Sequence, residues 1–249
     1  MVSILCVLRS GGDYTPEYVH ILRDSVRRHW PEEVRFRFAC LTDFPKDRFD
    51  PDIETFPLLH KLPGWWAKME LFNPSIDAKF GNRLYFDLDT AITGPLASIV
   101  AYSATDAPFT ILRDFYRPQG YGSGVMFIPR GFGMHVWDNF MKEPHDHTSG
   151  KTGFRGDQDY LERAIVGAAR WQDVCPGKFY SFKPAPIFIQ GRPATLASLP
   201  KGASVVCFHG FPRPPELPAD HWIRQHWRRE TLDEHVSGIE PGKTGTDDV

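Results

Sequence analysis

The sequence predicts an α/β fold with a mixed, mostly parallel central sheet flanked by helices. Two features of the 249-residue chain support this prediction. The chain opens with a strand–helix–strand pattern, and short apolar runs then alternate with amphipathic helical segments over most of the remaining length. Strands that alternate with helices are joined by crossovers that pack on the sheet, which makes neighbouring strands parallel.

The opening unit has clear start and stop signals. Residues 2–8 form an apolar run that ends at a serine–glycine turn, as expected for a buried strand. Thr15 and Pro16 then provide a helix N-cap and a proline at the first helical position, and Pro31 ends the helix. Apolar and polar side chains alternate over residues 34–40, which predicts a second strand.

The remaining elements follow from local apolar runs and the breakers between them. Further strands are predicted at residues 53–56, 83–88, 109–113, 124–129 and 204–208. Helices are predicted at residues 65–72, 131–142 and 157–169, with a polar loop at 143–156. The chain shows no internal repeat and no domain linker, so we expect residues 1–230 to form a single domain. Residues 231–249 are polar and lack periodicity, which predicts a flexible tail.

Composition argues against several classes of protein. The 29 Lys and Arg residues nearly balance the 31 Asp and Glu residues, so the net charge of -2 offers nucleic acid no attraction. No apolar run reaches the length of a membrane-spanning helix, and the N-terminal run lacks the basic start of a signal peptide. The four cysteines form no CxxC pair, and a reducing cytoplasm is the simplest setting for them.

Two aspartates lie at the end of the predicted strand 83–88. Alternation along a strand places Asp87 and Asp89 on the face opposite Leu84 and Phe86. The carboxyl ends of strands are where α/β sheets bind ligands. Neighbouring carboxylates repel each other unless a cation lies between them, and oxygen ligands suit Mg²⁺ and Mn²⁺. The pair therefore predicts a metal site, although two aspartates that cap a turn would give the same pattern.

A histidine follows the predicted strand 204–208. At this position His209 is placed as a third metal ligand, and a nitrogen ligand shifts the preference from Mg²⁺ towards Mn²⁺. Gly210 would allow a phosphate to approach the backbone, and Arg213 would offer that phosphate a cation. A lone histidine is, however, more often structural than a ligand.

Five segments of the chain carry a resemblance when they are taken in order: residues 65–68 (WWAK), 84–90 (LYFDLDT), 121–126 (YGSGVM), 156–159 (GDQD) and 208–214 (FHGFPRP). They resemble the retaining GT-A glycosyltransferases of family 8, the glycogenin and bacterial lipopolysaccharide galactosyltransferase type. This resemblance implies the Rossmann-like GT-A fold, a nucleotide-sugar donor and a divalent metal ion, with Mn²⁺ ahead of Mg²⁺. The donor is expected to be a UDP-hexose, and the acceptor can be a glycan, a lipid-linked sugar or a protein.

The resemblance also implies roles for individual residues. Asp87, Asp89 and His209 correspond to metal ligands, and Asp157 and Gln158 to residues beside the anomeric carbon. The sugar diphosphate would lie against Lys68, Asp87, Leu88, Ser123, Gly124, Gly210 and Arg213. The nucleotide would lie against the first loop, at Leu8, Arg9, Ser10 and Tyr14.

The chain departs from the family pattern in three places. Gly122 stands where asparagine is usual, which can alter sugar selection. The last motif is shortened, with Arg213 in place of lysine and Pro215 in place of tryptophan. The first loop lacks the family's usual nucleotide-contact residues, so the identity of the nucleotide stays open.

The expected reaction is transfer of the sugar with retention of anomeric configuration. Cleavage leaves negative charge on the diphosphate, which a divalent ion, Lys68 and Arg213 would stabilise. The sugar becomes oxocarbenium-like, and Asp157 or Gln158 would face it. Front-face attack and a covalent intermediate on Asp157 both remain open. Asp157 is also a candidate N-cap for the helix that it begins.

Two other functional classes are compatible with parts of the sequence. A sugar-1-phosphate nucleotidyltransferase shares the α/β plan and the metal aspartates. Its glycine-rich first loop ends in arginine, however, whereas Arg9 precedes the glycines here. A protein that binds nucleotide sugars or carbohydrates without turnover would not require Asp87, Asp89 and His209 together.

A short basic and aromatic segment lies at residues 221–229. Its apolar side chains share one face of a helix, and Arg224 and Arg228 lie four residues apart. Such a strip can rest on an anionic membrane surface, which would make the protein peripheral at the inner membrane face. The alternative is a helix that packs its tryptophans onto the core, and the short length of the strip favours this second interpretation.

Overall fold

The computed structural model describes residues 2–184, 188–189 and 192–230, and the predicted tail lies outside this range. The strands, in chain order, are β1 (Ser3–Leu8), β2 (Arg37–Thr42), β3 (Glu54–Pro57), β4 (Arg83–Phe86), β5 (Ala91–Ile92), β6 (Thr110–Arg113), β7 (Tyr121–Ile128), β8 (Ala169–Arg170), β9 (Phe179–Ser181), β10 (Phe188–Ile189), β11 (Arg192–Pro193) and β12 (Val205–Cys207).

The helices surround the main sheet. The α-helices are α1 (Pro16–His29), α2 (Pro74–Phe80), α3 (Ala97–Ser103), α4 (Met134–Phe140), α5 (Pro144–Thr148), α6 (Asp157–Ala164), α7 (Trp171–Val174) and α8 (Trp222–His226). Three 3-10 helices are found at Lys46–Arg48, Gly64–Phe72 and Pro214–Glu216 of the described chain.

Within the described residues, seven strands form the main sheet in the order β3-β2-β1-β4-β7-β6-β8. The pairs β2–β3, β1–β2, β1–β4 and β6–β8 are parallel, while β7 runs antiparallel to both of its neighbours. A smaller sheet has the order β5-β12-β9, in which β12 is parallel to β9 and antiparallel to β5. The prediction of a mixed, mostly parallel sheet flanked by helices is confirmed.

Both faces of the main sheet are covered by hydrophobic side chains. Along β1, Ile4, Cys6 and Leu8 join the layer that contains α1, whereas Leu5 joins the layer that contains the 3-10 helix Gly64–Phe72. Because parallel strands are buried on both faces of the sheet, their sequences are nearly continuous apolar runs. All four cysteines are buried and unpaired, as expected for small hydrophobic residues.

Some predicted boundaries are wrong. The strand expected at 34–40 begins only at Arg37, and the helix expected at 157–169 ends at Ala164 because the chain there turns extended towards β8. The polar loop 143–156 contains the short helix α5. The strand expected at 124–129 begins earlier, at Tyr121, and includes two glycines.

The C-terminal segment packs inward. Ile223 and Trp227 are buried, and the ring of Trp227 meets the ring of Tyr18 of α1 edge-on at 5.0 Å. The guanidinium of Arg28 donates to the backbone carbonyl of His226 at 2.7 Å. These contacts support the packed alternative for residues 221–229. Separately, no helix in the described part of the chain is long and apolar enough to cross a membrane.

Candidate active site

The site is organised at the carboxyl end of β4, where β7 passes alongside. Their antiparallel register sets Phe86 opposite Val125, and the N–H of Asp87 donates to the carbonyl of Gly124 at 2.8 Å. A Cβ atom added at Gly124 would lie 3.4 Å from Oδ2 of Asp87, so a larger residue would crowd the carboxylate. Pairing between the strands therefore sets where the first aspartate is placed.

The strand ends earlier than the sequence predicts. β4 stops at Phe86, and the N–H of Thr90 donates to the carbonyl of Asp87 at 3.1 Å, which closes a turn. The prediction that a strand continues to residue 88 and places Asp87 and Asp89 on one face is thus wrong in detail. The turn gives the two carboxylates different partners while keeping them within electrostatic reach.

One buried lysine joins three segments of the site. Nζ of Lys68 lies 2.9 Å from Oδ1 of Asp87 and 3.3 Å from Oδ2 of Asp157, and it donates to Oγ of Ser123 at 3.1 Å. Oγ of Ser123 in turn donates to Oδ2 of Asp157 at 2.7 Å. Burial alone would lower the pKa of Lys68, but the charges of Asp157 and Asp87 outweigh it and raise that pKa. The ammonium therefore stays charged between two carboxylates.

This network also decides between two interpretations of Asp157. Asp157 is the first residue of α6, whose N-cap is Gly156, and its carboxylate is occupied by Ser123 and Lys68. The alternative that Asp157 merely caps its helix is therefore not what the structure shows. A carboxylate held by a hydroxyl and an ammonium is fixed in direction, which suits a residue that must face a reacting atom.

Asp89 lies in an environment that disfavours its charged form. Its side chain is 4% exposed, and the hydroxyl of Tyr14 donates to its Oδ2 at 2.7 Å. Burial and the nearby charge of Asp87 raise the pKa of Asp89 to about 7, despite opposing contributions from Tyr14, Arg213 and Lys68. Burial and a neighbouring carboxylate thus disfavour the charged form of Asp89.

Sequence analysis did not single out Tyr85, although the strand period could have identified it. Its hydroxyl donates a short hydrogen bond to Oδ1 of Asp87, two residues along the chain. Burial, and then the charge of Asp87, raise the pKa of Tyr85, so the phenol remains a donor. Because side chains alternate along a strand, Tyr85 had to share a face with the residue that follows Phe86.

Arg213 bridges the C-terminal segment and the first loop. Its Nη2 donates to Oδ2 of Asp13 at 2.7 Å, and its guanidinium carbon lies 4.4 Å from the ring centroid of Tyr14. The ring of Phe211 lies on the same guanidinium at 5.0 Å. Nε and Nη1 of Arg213 are buried and have no acceptor among the described residues. Unmet donors on a buried cation are unfavourable unless an anionic ligand accepts from them.

The first loop is fastened to the segment after β2. Nη1 of Arg9 donates to Asp43 at 2.8 Å, and the backbone N–H of Ser10 donates to the same carboxylate at 2.8 Å. Burial would raise the pKa of Asp43, but the bonds from Ser10 and the charge of Arg9 lower it. Two residues predicted to contact the nucleotide are thus bound to Asp43, while Leu8 and Leu88 are buried in the core.

Gln158 is hydrogen-bonded to Asp114 rather than to the lysine network. Its Nε2 donates to Oδ2 of Asp114 at 2.9 Å, beside a cavity of about 330 Å³. The cavity is lined by Asp114, Arg117, Arg155, Gly156, Gln158 and Asp159. Trp65 is 62% exposed, and its Nε1 would lie 3.0 Å from a Cβ added at Gly156. An exposed indole therefore stands at the edge of a polar cavity next to Asp157.

His209 lies at the end of β12 with its ring held by Ser181. Nε2 of His209 and Oγ of Ser181 are 2.6 Å apart, and Oγ of Ser181 is also 2.6 Å from the carbonyl of Lys183. Burial and the charge of Lys183 lower the pKa of His209 to about 4, so the imidazole is neutral at pH 7. If the single hydroxyl hydrogen of Ser181 bonds that carbonyl, Nε2 of His209 carries the proton and Nδ1 keeps the lone pair.

The predicted metal ligands do not form a closed set by themselves. Among the described residues, no three His, Cys, Asp or Glu side chains converge closely enough to hold a metal ion. The assignment of Asp87, Asp89 and His209 as ligands therefore remains a prediction.

Comparison with known proteins connects this geometry to a fold. No protein-family profile matches the sequence, and no curated protein matches it. Solved structures do match. The galactosyltransferase LgtC, crystallised with donor and acceptor sugar analogues, has a TM-score of 0.60 at 13% identity, covering 90% of this chain and 94% of LgtC.

Two other matches are longer proteins. GlyE of Streptococcus pneumoniae TIGR4 has a TM-score of 0.60 at 14% identity, covering 91% of this chain and 60% of GlyE. The bifunctional glycosyltransferase WbbM has a TM-score of 0.60 at 8% identity, covering 95% of this chain and 51% of WbbM. This chain has the fold of these glycosyltransferases. The GT-A fold predicted from the sequence is thereby confirmed.

Proposed function

We propose that the protein is a metal-dependent glycosyltransferase that uses a nucleotide-diphosphate sugar as donor and transfers the sugar with retention of anomeric configuration. A UDP-hexose is the first candidate donor. The observation that carries this proposal is the network of the buried Lys68, Ser123 and Asp157 with the half-buried Asp87, at the strand end where α/β sheets bind ligands. The fold shared with LgtC, GlyE and WbbM supports it.

The carboxylates suit a hard divalent ion. Asp87 uses Oδ1 for Lys68 and Tyr85, and Asp89 uses Oδ2 for Tyr14, so each keeps one oxygen without a hydrogen bond from the described residues. Burial, and then the charge of Asp87, raise the pKa of Asp89, so a bound cation would favour its charged form. Mn²⁺ or Mg²⁺ bound by Asp87 and Asp89, with the neutral His209 as a further ligand, would neutralise charge on the diphosphate.

The protein's own groups have distinct tasks in this proposal. Arg213 would offer the leaving diphosphate the N–H groups of Nε and Nη1, and Lys68 would hold its charge beside the sugar. Asp157, fixed by Ser123, faces the oxocarbenium-like sugar. Gln158, the next residue, is proposed to lie near the reacting centre, as the sequence resemblance implies, and one LgtC structure is of an active-site variant with a glutamine replaced by glutamate.

The acceptor is proposed to enter through the cavity beside Gln158. Its lining of charged and amide groups offers hydrogen bonds to hydroxyl groups, and the exposed ring of Trp65 offers a flat apolar surface to a sugar ring. A cavity of about 330 Å³ has the size of a small-ligand site rather than a protein interface. A glycan acceptor, free or lipid-linked, is therefore favoured over a folded protein.

The deciding experiment is a panel of nucleotide sugars tested with and without Mn²⁺. Ligand binding is measured by thermal shift, and turnover by release of the nucleoside diphosphate. We expect turnover that chelation abolishes and Mn²⁺ restores. Release of pyrophosphate from a nucleoside triphosphate and a sugar phosphate would instead identify a nucleotidyltransferase. Binding without any release, with a range of glycan acceptors present, would identify a binding protein.

A further inference from the structure

Lys183 is a buried cation that no sequence motif marks. It follows β9, which pairs in parallel with β12 so that Ser181 lies opposite Cys207. Lys183 consequently runs beside His209, the residue two positions after Cys207. Its side chain is only 6% exposed. The pairing of two short strands thus places an ammonium group behind the loop that carries His209, Gly210 and Arg213.

The hydrogen bonds of this ammonium go to neutral groups, and the charge of Asp89 acts on it without forming an ion pair. Nζ donates to the backbone carbonyl of His209 in a short hydrogen bond and to that of Phe211 at 2.9 Å. Both acceptors are neutral, and no carboxylate among the described residues forms an ion pair with Lys183. A buried ammonium without an ion-pair partner is unfavourable, and an anion bound nearby would stabilise it. One N–H of the ammonium also remains beyond these two bonds.

The loop passes directly in front of the amine. A Cβ atom added at Gly210 would lie 3.7 Å from Nζ of Lys183, and Gly210 has a φ of +69°, which disfavours any other residue there. Arg213 approaches the same loop from the side of the first loop, where Asp13 holds it. Two cations thus flank the backbone that the proposed function places against the diphosphate.

We propose that Lys183 is a donor-binding residue, whose ammonium attracts the diphosphate and whose bonds to His209 and Phe211 fix the loop that receives it. This inference rests on the proposed function, since it assigns a new residue to the same donor site. It predicts an effect that grows with phosphate charge. A side chain that served only the fold would affect every ligand of the site alike.

The test measures the binding of UDP, UMP and uridine to the full chain by calorimetry in the presence of Mn²⁺. If the unmodified protein binds guanosine nucleotides instead, GDP, GMP and guanosine replace them. Lys183→Met keeps the length of the side chain and removes its charge. We expect UDP binding to weaken tenfold or more, UMP binding to weaken less, and uridine binding to stay within twofold, because a charged hydrogen bond typically contributes at least a factor of ten. Lys183→Arg should restore part of the loss.

Lys178→Met is the matched control, since this half-buried lysine lies just before β9 and donates to the carbonyl of Gly202. It should leave all three affinities unchanged. An equal loss for UDP and uridine in Lys183→Met, or no loss at all, would overturn the role of Lys183 while leaving the proposed function in place. An unmodified protein that binds no nucleoside diphosphate would overturn the proposed function and this inference with it.

Discussion

Asp89→Asn should make the metal-free protein more stable while removing its activity. Asp89 is buried beside Asp87, and its pKa is raised from 3.8 to about 7. A carboxyl group whose pKa is raised by folding binds its proton more tightly in the folded chain than in the unfolded chain. The free energy of unfolding therefore falls as pH rises from about 4 to about 7, and it remains at the lower value above pH 7.

The size of the effect follows from that pKa. A rise from 3.8 to about 7 corresponds to roughly 4 kcal/mol of lost stability at pH 8, but only about 1 kcal/mol at pH 4.5. Asparagine has nearly the volume of aspartate and can still accept the hydrogen bond from Tyr14. The substitution should thus recover most of the loss, which in a domain of this size is roughly 10 °C in Tm at pH 8.

Urea unfolding in a chelator, at several pH values between 4.5 and 8, measures the gain directly. Asp106→Asn changes an exposed carboxylate and should show no such pH-dependent gain. Addition of Mn²⁺ should then stabilise the unmodified protein but not Asp89→Asn. A loss of stability in Asp89→Asn at pH 8 would refute the reasoning, since it would mean that Tyr14 and the neighbouring cations already stabilise the charged carboxylate.

Three further predictions concern the reacting centre and the C-terminal helix. Asp157→Asn should lower kcat about 100-fold or more with a much smaller change in donor KM, because the carboxylate is proposed to act on the transition state. Steady-state kinetics measure both constants. A rise in KM alone would make Asp157 a binding residue. Ile223→Ala should cost about 2–5 kcal/mol in urea unfolding, because Ile223 is fully buried. The full chain should also fail to float with anionic liposomes, whereas salt-sensitive flotation that is lost in Arg224→Ala would restore a membrane role for this segment.

The fold could be predicted where burial leaves a mark on the sequence. β1 and α1 have apolar patterns long enough to show their period, and both were predicted close to their observed bounds. β5, β8 and β9 span two or three residues each, and no period can be read from so few positions.

The helix α2 was not predicted. Asn73 is the C-cap of the 3-10 helix Gly64–Phe72, and its Oδ1 also accepts from the N–H of Ser75 at 2.9 Å and begins α2. Asparagine followed by proline is also an N-cap followed by the first helical residue. Whether a second helix follows depends on which segment packs, and that is a tertiary property.

The site could be predicted only for those residues that lie within sequence motifs. Lys68, Asp87, Ser123 and Asp157 lie in separate motifs, and the structure brings all four together. Lys183 has no motif around it, because it reaches the site through strand pairing between β9 and β12 rather than through neighbours in sequence. Pairings between strands of two or three residues cannot be inferred from the sequence alone.

Charge balance in the site finally implies that donor and metal ion bind cooperatively. Asp87 and Asp89 would repel a diphosphate. Lys183 and Arg213 would attract it, so repulsive and attractive electrostatic contributions to donor binding oppose each other. A divalent ion on the carboxylates removes the repulsion, and a bound diphosphate supplies further oxygen ligands for the ion. Each ligand should thus raise the affinity of the other by the same factor, because coupling between two binding sites is reciprocal. Calorimetric titration of UDP with and without Mn²⁺, and of Mn²⁺ with and without UDP, measures both factors. Independent binding would show that Asp87 and Asp89 are already neutralised within the protein, by Lys68 and a retained proton.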